Sequence, residues 1–152
     1  MRKIGFTEPN REILARRDSI ITDLTRLVDP AGLITSTDEC RAYETDALTA
    51  YRKMPLAVVL PKTTEEVSAV LKYCHDTGVK VVPRGAGTSL AGGAIPSEDA
   101  VVLGLSKMNR VLAVNYDDRF IRVEAGVTNL SVTAVVAENG FFYAPDPSSQ
   151  LA

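Results

Sequence analysis

Val81-Val82-Pro83-Arg84-Gly85-Ala86-Gly87-Thr88-Ser89-Leu90-Ala91-Gly92-Gly93 is the stretch on which the reading of this chain turns. A short apolar run enters it, and four of its residues are glycine in a chain that has only 10. Glycine reaches φ > 0 and has no Cβ to hold a ligand away. Successive backbone N–H groups can then face one side and form a concave anion site. Thr88 and Ser89 add hydroxyl donors, and Arg84 adds the nearby positive charge. A diphosphate-binding turn needs these parts. By composition alone the same residues also suit a tight structural loop between two strands, because one Gly-rich loop is a weak signal.

The flanks show where the loop sits. Ala57-Val58-Val59-Leu60 is a continuous apolar run between Pro55 and Pro61, the pattern of a strand buried on both faces. Thr63 and Glu66 have the spacing of a capping box. Val67, Val70, Leu71 and Cys74 follow at helical spacing, and Gly78 is the expected stop. Val79–Val82 reads as the next strand. Strand, helix and strand make a βαβ unit, with parallel strands and a right-handed crossover. The Gly-rich loop then leaves the carboxyl end of a parallel strand, where open α/β sheets bind ligands.

Further out, the pattern changes. Asn10 to Val28 reads as one amphipathic helix ended by Pro30 and Gly32. Residues 33–55 read as a surface segment, with a short helix capped by Thr37. Ala100–Leu105 is a third strand. Val111–Asn115 and Phe120–Glu124 flank the polar turn Tyr116-Asp117-Asp118-Arg119 as an antiparallel hairpin. A further helix, capped by Thr128 or Asn129, carries Val127, Leu130, Ala134 and Ala137 on one face and stops at Gly140. Phe141-Phe142-Tyr143 reads as a last short strand before the stiff polar loop Ala144-Pro145-Asp146-Pro147-Ser148-Ser149-Gln150. The fold class is α+β, with an α/β first part. Three parts are expected: an N-terminal helical segment at 1–34, a first subdomain at 35–106, and the start of an incomplete second, mixed or antiparallel subdomain at 107–152. The absence of a closing element leads us to expect a piece of a longer protein.

Composition excludes several classes. The 152 residues carry a net charge of -2 with 45% hydrophobic and 24% charged residues, ordinary for a globular chain. Acids and bases are mixed along it, so no basic stripe marks a nucleic-acid surface. The N-terminus lacks the apolar core of a signal peptide, and no apolar run reaches the length of a membrane span. Cys40 and Cys74 are isolated, which fits a reduced, cytoplasmic setting and no metal site. The only histidine, His75, reads as a solvated helix-end residue, so no catalytic base or metal cluster can be drawn.

The loop fails two common phosphate templates. No Lys follows a glycine at P-loop spacing. Gly85 and Gly87 fit the start of G-x-G-x-x-G, but the sixth position is Leu90, and Gly92, Gly93 and Pro96 interrupt any long helix. What remains is a Gly-rich turn paired with a second, Pro/Ser-rich loop across a subdomain boundary.

At this point a specific resemblance emerges. Pro83–Gly92 resembles the diphosphate loop of FAD-linked oxidases with the PCMH-type flavin domain of vanillyl-alcohol oxidase and p-cresol methylhydroxylase. Tyr143-Ala144-Pro145-Asp146-Pro147-Ser148-Ser149 is similar to the corresponding loop of the glycolate oxidase D subunit and its D-lactate and D-2-hydroxyglutarate dehydrogenase relatives. Tyr51-Arg52, Pro55–Pro61 and Val123-Glu124-Ala125-Gly126-Val127 look like the same group. The resemblance implies FAD held between two subdomains. It assigns backbone N–H contacts to Gly85, Ala86, Gly87 and Thr88, hydroxyl contacts to Thr88 and Ser89, and cofactor packing to Leu90. Gly92 completes the loop. Arg84 either reaches phosphate or pairs with a nearby acid. Ser148 and Ser149 face the diphosphate or ribityl chain, on a loop shaped by Pro145, Asp146 and Pro147. The parent protein is then expected to oxidise a small 2-hydroxy acid of the glycolate or D-lactate type, through a substrate domain outside this stretch. Other oxidase subunits or an electron acceptor would be its partners, with a peripheral association to a membrane in the parent complex. Two alternatives stay open: a non-catalytic flavin-binding module whose unfinished sheet edge self-associates, and a same-fold oxidase of aromatic or sugar alcohols.

Overall fold

The computed structural model describes residues 7–145 and residue 150. Its centre is a four-stranded sheet of β1 (Leu33–Ile34), β2 (Ala57–Val59), β3 (Lys80–Arg84) and β4 (Ala100–Gly104), in the order β1-β2-β4-β3. β2, β4 and β3 are parallel, and β1 runs antiparallel on the outer side of β2. The βαβ expectation is therefore right in direction, but the two strands are not neighbours: β4 lies between them. Burial explains the order. All five β4 residues are buried, whereas β3 is half-exposed and contains Pro83, which has no N–H to offer a second neighbour.

Both faces of the sheet are covered. Ala57, Val59, Val101 and Leu103 form one core with Ile13, Ile20, Leu24, Val28, Val70 and Cys74. Val58, Leu60 and Val102 face the other way, into a cluster with Cys40, Ile34, Tyr43, Met54 and Val82. The first cluster packs against α4 (Thr64–Thr77) and the N-terminal helices.

Local sequence sets most element ends, with several corrections. The N-terminal helix is two, α1 (Arg11–Ala15) and α2 (Arg17–Leu24), because Arg16 leaves helical geometry at φ -96, ψ 8 and its N–H donates to Ile13 O and Leu14 O. The break is tied down by Arg17, whose Nη2 donates to Thr35 O at 2.7 Å. The 33–55 segment is not purely a surface crossing, since β1 joins the sheet. The short helix α3 (Thr37–Cys40) is capped by Ser36 rather than Thr37. On α4 the Thr63 Oγ1 accepts the Glu66 N–H at 3.2 Å, but the reciprocal arm is different. The Glu66 carboxylate accepts from Lys62 N and Asp29 N, which ties the helix start to the chain before β1. Gly78 closes α4 in the left-handed region at φ 73. Leu71 is exposed, so the buried face is Val70 and Cys74 alone with Val67 at its margin.

The second part is the hairpin β5 (Val111–Asn115) and β6 (Phe120–Val123), followed by α5 (Asn129–Val136). Asn115 and Asp118 bond side chain to side chain at 2.9 Å, and Arg119 takes φ 55 to close the turn. A bulge at Leu112 shifts the register. Thr128 caps α5, but Val132 and Val136 are its buried residues. The expected face is wrong: Leu130, Ala134 and Ala137 are exposed. Phe141–Tyr143 is irregular backbone and not a strand.

The open end of the hairpin is tied by one ion pair. Glu124, 8% exposed, receives Arg110 Nη2 at 2.7 Å, Arg110 Nε at 3.0 Å and the Arg110 backbone N–H at 2.8 Å. These bonds, the side-chain one foremost, hold the Glu124 carboxyl below the usual carboxylate range. Gly126 N donates to Met108 O at 2.8 Å. A Cβ on Gly126 would collide with the Leu105 and Met108 carbonyls. Gly126 thus lets the chain after the hairpin lie close against the backbone that follows β4.

Candidate functional site

The carboxyl ends of β3 and β4 open onto a cleft of about 350 Å³. It is lined by Gly85 and Ala86 after β3, Leu105 and Ser106 after β4, and Ala125, Gly126, Val127 and Thr128 before α5. The Gly-rich loop therefore faces the entry of α5, held there by Gly126. Thr128 Oγ1 accepts the Ser131 N–H at 3.3 Å as the helix cap. Gln150 O accepts the Leu130 N–H at 3.3 Å, so Gln150 is tied to the first turn of the same helix. A helix start carries partial positive charge and N–H donors, which suits a phosphate.

Within the loop, two glycines adopt φ > 0: Gly87 at 74 and Gly92 at 75. Gly87 has a second constraint. A Cβ there would overlap the Arg84 guanidinium, which folds back beneath the turn. Arg84 Nη1 donates to Thr45 O at 2.7 Å, and its guanidinium carbon sits 5.5 Å from the Tyr43 ring centroid. Among the described residues Arg84 thus pairs with a carbonyl and a ring face, and not with an acid. Gly85 differs from Gly87: its φ is not positive, and a Cβ there would enter open space. Gly85 therefore leaves room in the cleft, while Gly87 leaves room for the support.

Thr88, Ser89 and Leu90 are exposed, Leu90 at 73%. Ser89 Oγ accepts the Ala91 N–H at 3.2 Å, and Ser89 O accepts the Ala47 N–H at 3.1 Å. Ile95 N donates to Gly92 O at 3.2 Å and closes the loop. Pro145 is exposed; Asp146, Pro147, Ser148 and Ser149 lie outside the described residues. Sequence reasoning missed Ser106, Ala125 and Thr128 as cleft residues. Gly126 was the available signal, a glycine two residues before a helix cap. It also missed the segment Tyr43–Leu48 that carries the loop.

A tighter apolar cavity of about 90 Å³ lies between the hairpin and α5, lined by Phe120, Ile121, Val132, Val136 and Phe141 among others. No Gly-rich loop residue lines it, and we place no chemistry there. Among the described residues, no group of three His, Cys, Asp or Glu side chains is arranged to hold a metal ion.

A Gly-rich turn opposite a helix start at the carboxyl edge of a parallel sheet is the arrangement in which α/β domains bind ligands. Residues 55–151 match the family described as FAD binding domain, and the chain belongs to that family. It is 45% identical over 136 residues to glycolate oxidase subunit GlcD of Escherichia coli strain K12, covering 90% of this chain and 27% of that protein. It is 36% identical over 135 residues to D-lactate dehydrogenase of Archaeoglobus fulgidus, covering 88% of this chain and 30% of that protein. Among solved structures it superimposes on p-cresol methylhydroxylase with a TM-score of 0.73 at 21% identity, over 87% of this chain and 26% of that one. The chain spans 27% and 30% of the length of these two curated relatives. No helix among the described residues is long and apolar enough to cross a membrane.

The site fits the cofactor that the family implies. The cradle at Gly85 is open, the donors are backbone N–H and hydroxyl groups, and the loop faces a helix start across the cleft.

Proposed function

We propose that this chain is the diphosphate-binding part of an FAD-dependent oxidoreductase acting on a small 2-hydroxy acid. The single observation that carries the reading is the cleft between Gly85–Ala86 and Ala125–Thr128. In this reading the N–H groups of Gly85, Ala86, Gly87 and Thr88 and the hydroxyls of Thr88 and Ser89 bind the two phosphates. Leu90, exposed on the loop, packs on the cofactor, and Gly92 lets the loop turn back. Arg84 supports the turn from below. Pro145, Asp146, Pro147, Ser148 and Ser149 form the second loop over the diphosphate or ribityl chain. The chemistry FAD supplies when bound is acceptance of two electrons from the carbinol carbon. The hydroxy acid loses two electrons and two protons and becomes the 2-oxo acid. This chain's own residues bind and orient the diphosphate.

We also propose the division into an N-terminal segment at 1–34 that carries α1 and α2 and ends in β1 of the first sheet, a first subdomain at 35–106 and the start of a second at 107–152. Two separate sheets support the later boundary. The N-terminal helices share a core with the first sheet, so they fold with it. The remaining substrate residues, an electron acceptor or partner subunits, and a cytoplasmic or membrane-peripheral location belong to the whole protein.

One observation favours a second reading of the isolated chain. The two-stranded hairpin is short for independent stability, and Leu112, Phe120 and Phe142 are exposed on or beside it. As a module by itself this chain would self-associate through that part and have no catalysis of its own.

The test is reduction of the full-length protein's flavin by candidate acids. Bleaching of bound flavin absorbance by glycolate or D-lactate, and not by aromatic or sugar alcohols, supports the reading. Tight FAD binding with bleaching only by an aromatic or sugar alcohol replaces the substrate class and keeps the domain.

A further inference from the structure

The loop stands on a platform, the segment Tyr43–Leu48, and the platform contains one unsatisfied group. Asp46 is 4% exposed. Its Oδ1 accepts the Leu48 N–H at 2.9 Å. Its Oδ2 is the one buried side-chain polar atom among the described residues with no hydrogen-bond partner. A carboxylate oxygen buried without a donor is costly, and such atoms are rare in folded proteins.

The position of Asp46 suggests what the missing donor is. Four residues near it in the chain touch the Gly-rich loop or the Arg84 that enters it. Thr45 O accepts Arg84 Nη1 at 2.7 Å. Ala47 N donates to Ser89 O at 3.1 Å. The Leu48 side chain lies where a Cβ on Gly92 would meet it at 3.4 Å. The Tyr43 ring lies under the Arg84 guanidinium. Asp46 thus sits between three attachment points of one loop. Thr88 and Ser89 on that loop carry hydroxyls, and among the described residues neither hydroxyl donates to a protein acceptor.

We propose that Asp46 is the positioning residue of the Gly-rich loop: its Oδ2 takes up a donor from the loop when the turn closes on a dinucleotide diphosphate. Ser89 is the favoured donor, since its carbonyl is already tethered one residue away from Asp46. The inference rests on the FAD reading above. The carboxylate makes no contact with the cofactor.

The test compares wild type, Asp46→Asn and Asp46→Ala in the full-length protein, with two readouts. Asn keeps the acceptor for Leu48 N–H and replaces Oδ2 with a group that cannot accept. The expected result is a ligand-free thermal midpoint no lower than wild type for Asp46→Asn. FAD affinity falls about ten- to a hundredfold, the range for one hydrogen bond to a charged group. Amide exchange of residues 85–91 at saturating FAD is faster than in wild type. Unchanged FAD affinity in Asp46→Asn overturns the proposal, whatever the midpoint does. So does a fall in midpoint and affinity together with wild-type amide protection of the loop at saturating FAD, because that is a structural role alone. If Asp46→Ala does not fold, Asp46→Asn decides. Wild-type protein that fails to bind FAD refutes the FAD reading itself, and that outcome is read before any variant is compared.

Discussion

Replacing Gly87 with alanine tests the support of the loop from two directions at once. Gly87 has φ 74, where an L-residue costs roughly 1–2 kcal/mol. The new Cβ also overlaps the Arg84 guanidinium, which must then leave its place. Leaving breaks the 2.7 Å bond to Thr45 O, a bond from a charged donor worth about 1.5–3 kcal/mol. It also removes the guanidinium from the Tyr43 ring, about 0.5–1 kcal/mol. The sum is about 3–6 kcal/mol, to be read as a shift in urea midpoint of this chain. The decisive form is a double-mutant cycle with Arg84→Ala. Once the guanidinium is gone, Gly87→Ala costs only the backbone part. The two substitutions should therefore be less than additive by about 2–4 kcal/mol. Additivity within about 0.5 kcal/mol refutes the reasoning, because it means the Cβ and the guanidinium never compete for the same space. The bulkier Gly87→Val, β-branched and disfavoured at φ > 0, should leave the full-length protein without FAD.

Gly85→Ala should behave in the opposite way. Its Cβ enters open space, so the urea midpoint should stay within about 0.5 kcal/mol of wild type while FAD affinity falls about tenfold or more, measured by fluorescence titration. A loss of stability with normal affinity would reverse the roles given to the two glycines. Asp99 supplies a pH prediction. It is 1% exposed and receives Lys80 Nζ at 2.8 Å, Ser97 Oγ at 2.7 Å and Asn10 N at 2.9 Å. Burial pushes its pKa up, but the hydrogen bonds outweigh burial and hold the carboxyl at about 2, against 3.8 unperturbed. A depressed folded pKa stabilises above the unfolded value, so this contribution, about 2 kcal/mol, is present above pH 3.8 and is lost as pH falls through about 2. Asp99→Asn should flatten that part of the acid-unfolding profile; an unchanged profile contradicts the assignment. Gly126→Ala forces the Leu105 and Met108 carbonyls away and should cost about 1–3 kcal/mol. Amide exchange should show the loss at the join of the hairpin and the sheet.

The parts of the fold legible in the sequence are those where one local cause dominates. The apolar runs of β2 and β4, the Thr63 cap, the Gly78 stop and the polar hairpin turn each need only a few adjacent residues. Strand order was not legible from the βαβ pattern, because it depends on which strand the core encloses. The one clue was Pro83, which favours an edge. The helix faces failed for a related reason. Leu71 and Leu130 have helical spacing, but the partner surface reaches only Val70 and Cys74 on α4 and Val132 and Val136 on α5. The break at Arg16 is set by distant carbonyls at Thr35 and Thr77, which no local pattern announces. In the site, the Gly-rich loop was legible because glycine chemistry is local. The platform beneath it was not. Thr45 offers a backbone carbonyl, Tyr43 a ring face and Asp46 a buried oxygen, and each acquires meaning only when the chain returns some 40 residues later to lie on it.

The central claim is that this loop binds a dinucleotide through its diphosphate. The most direct measurement is a calorimetric titration of FAD and of FMN, which lacks the second phosphate and the adenosine, into the full-length protein. The account predicts FAD binding at least about tenfold tighter than FMN, with the difference removed by Gly85→Val. Equal affinity for FAD and FMN, or a preference for FAD that survives Gly85→Val, would contradict it.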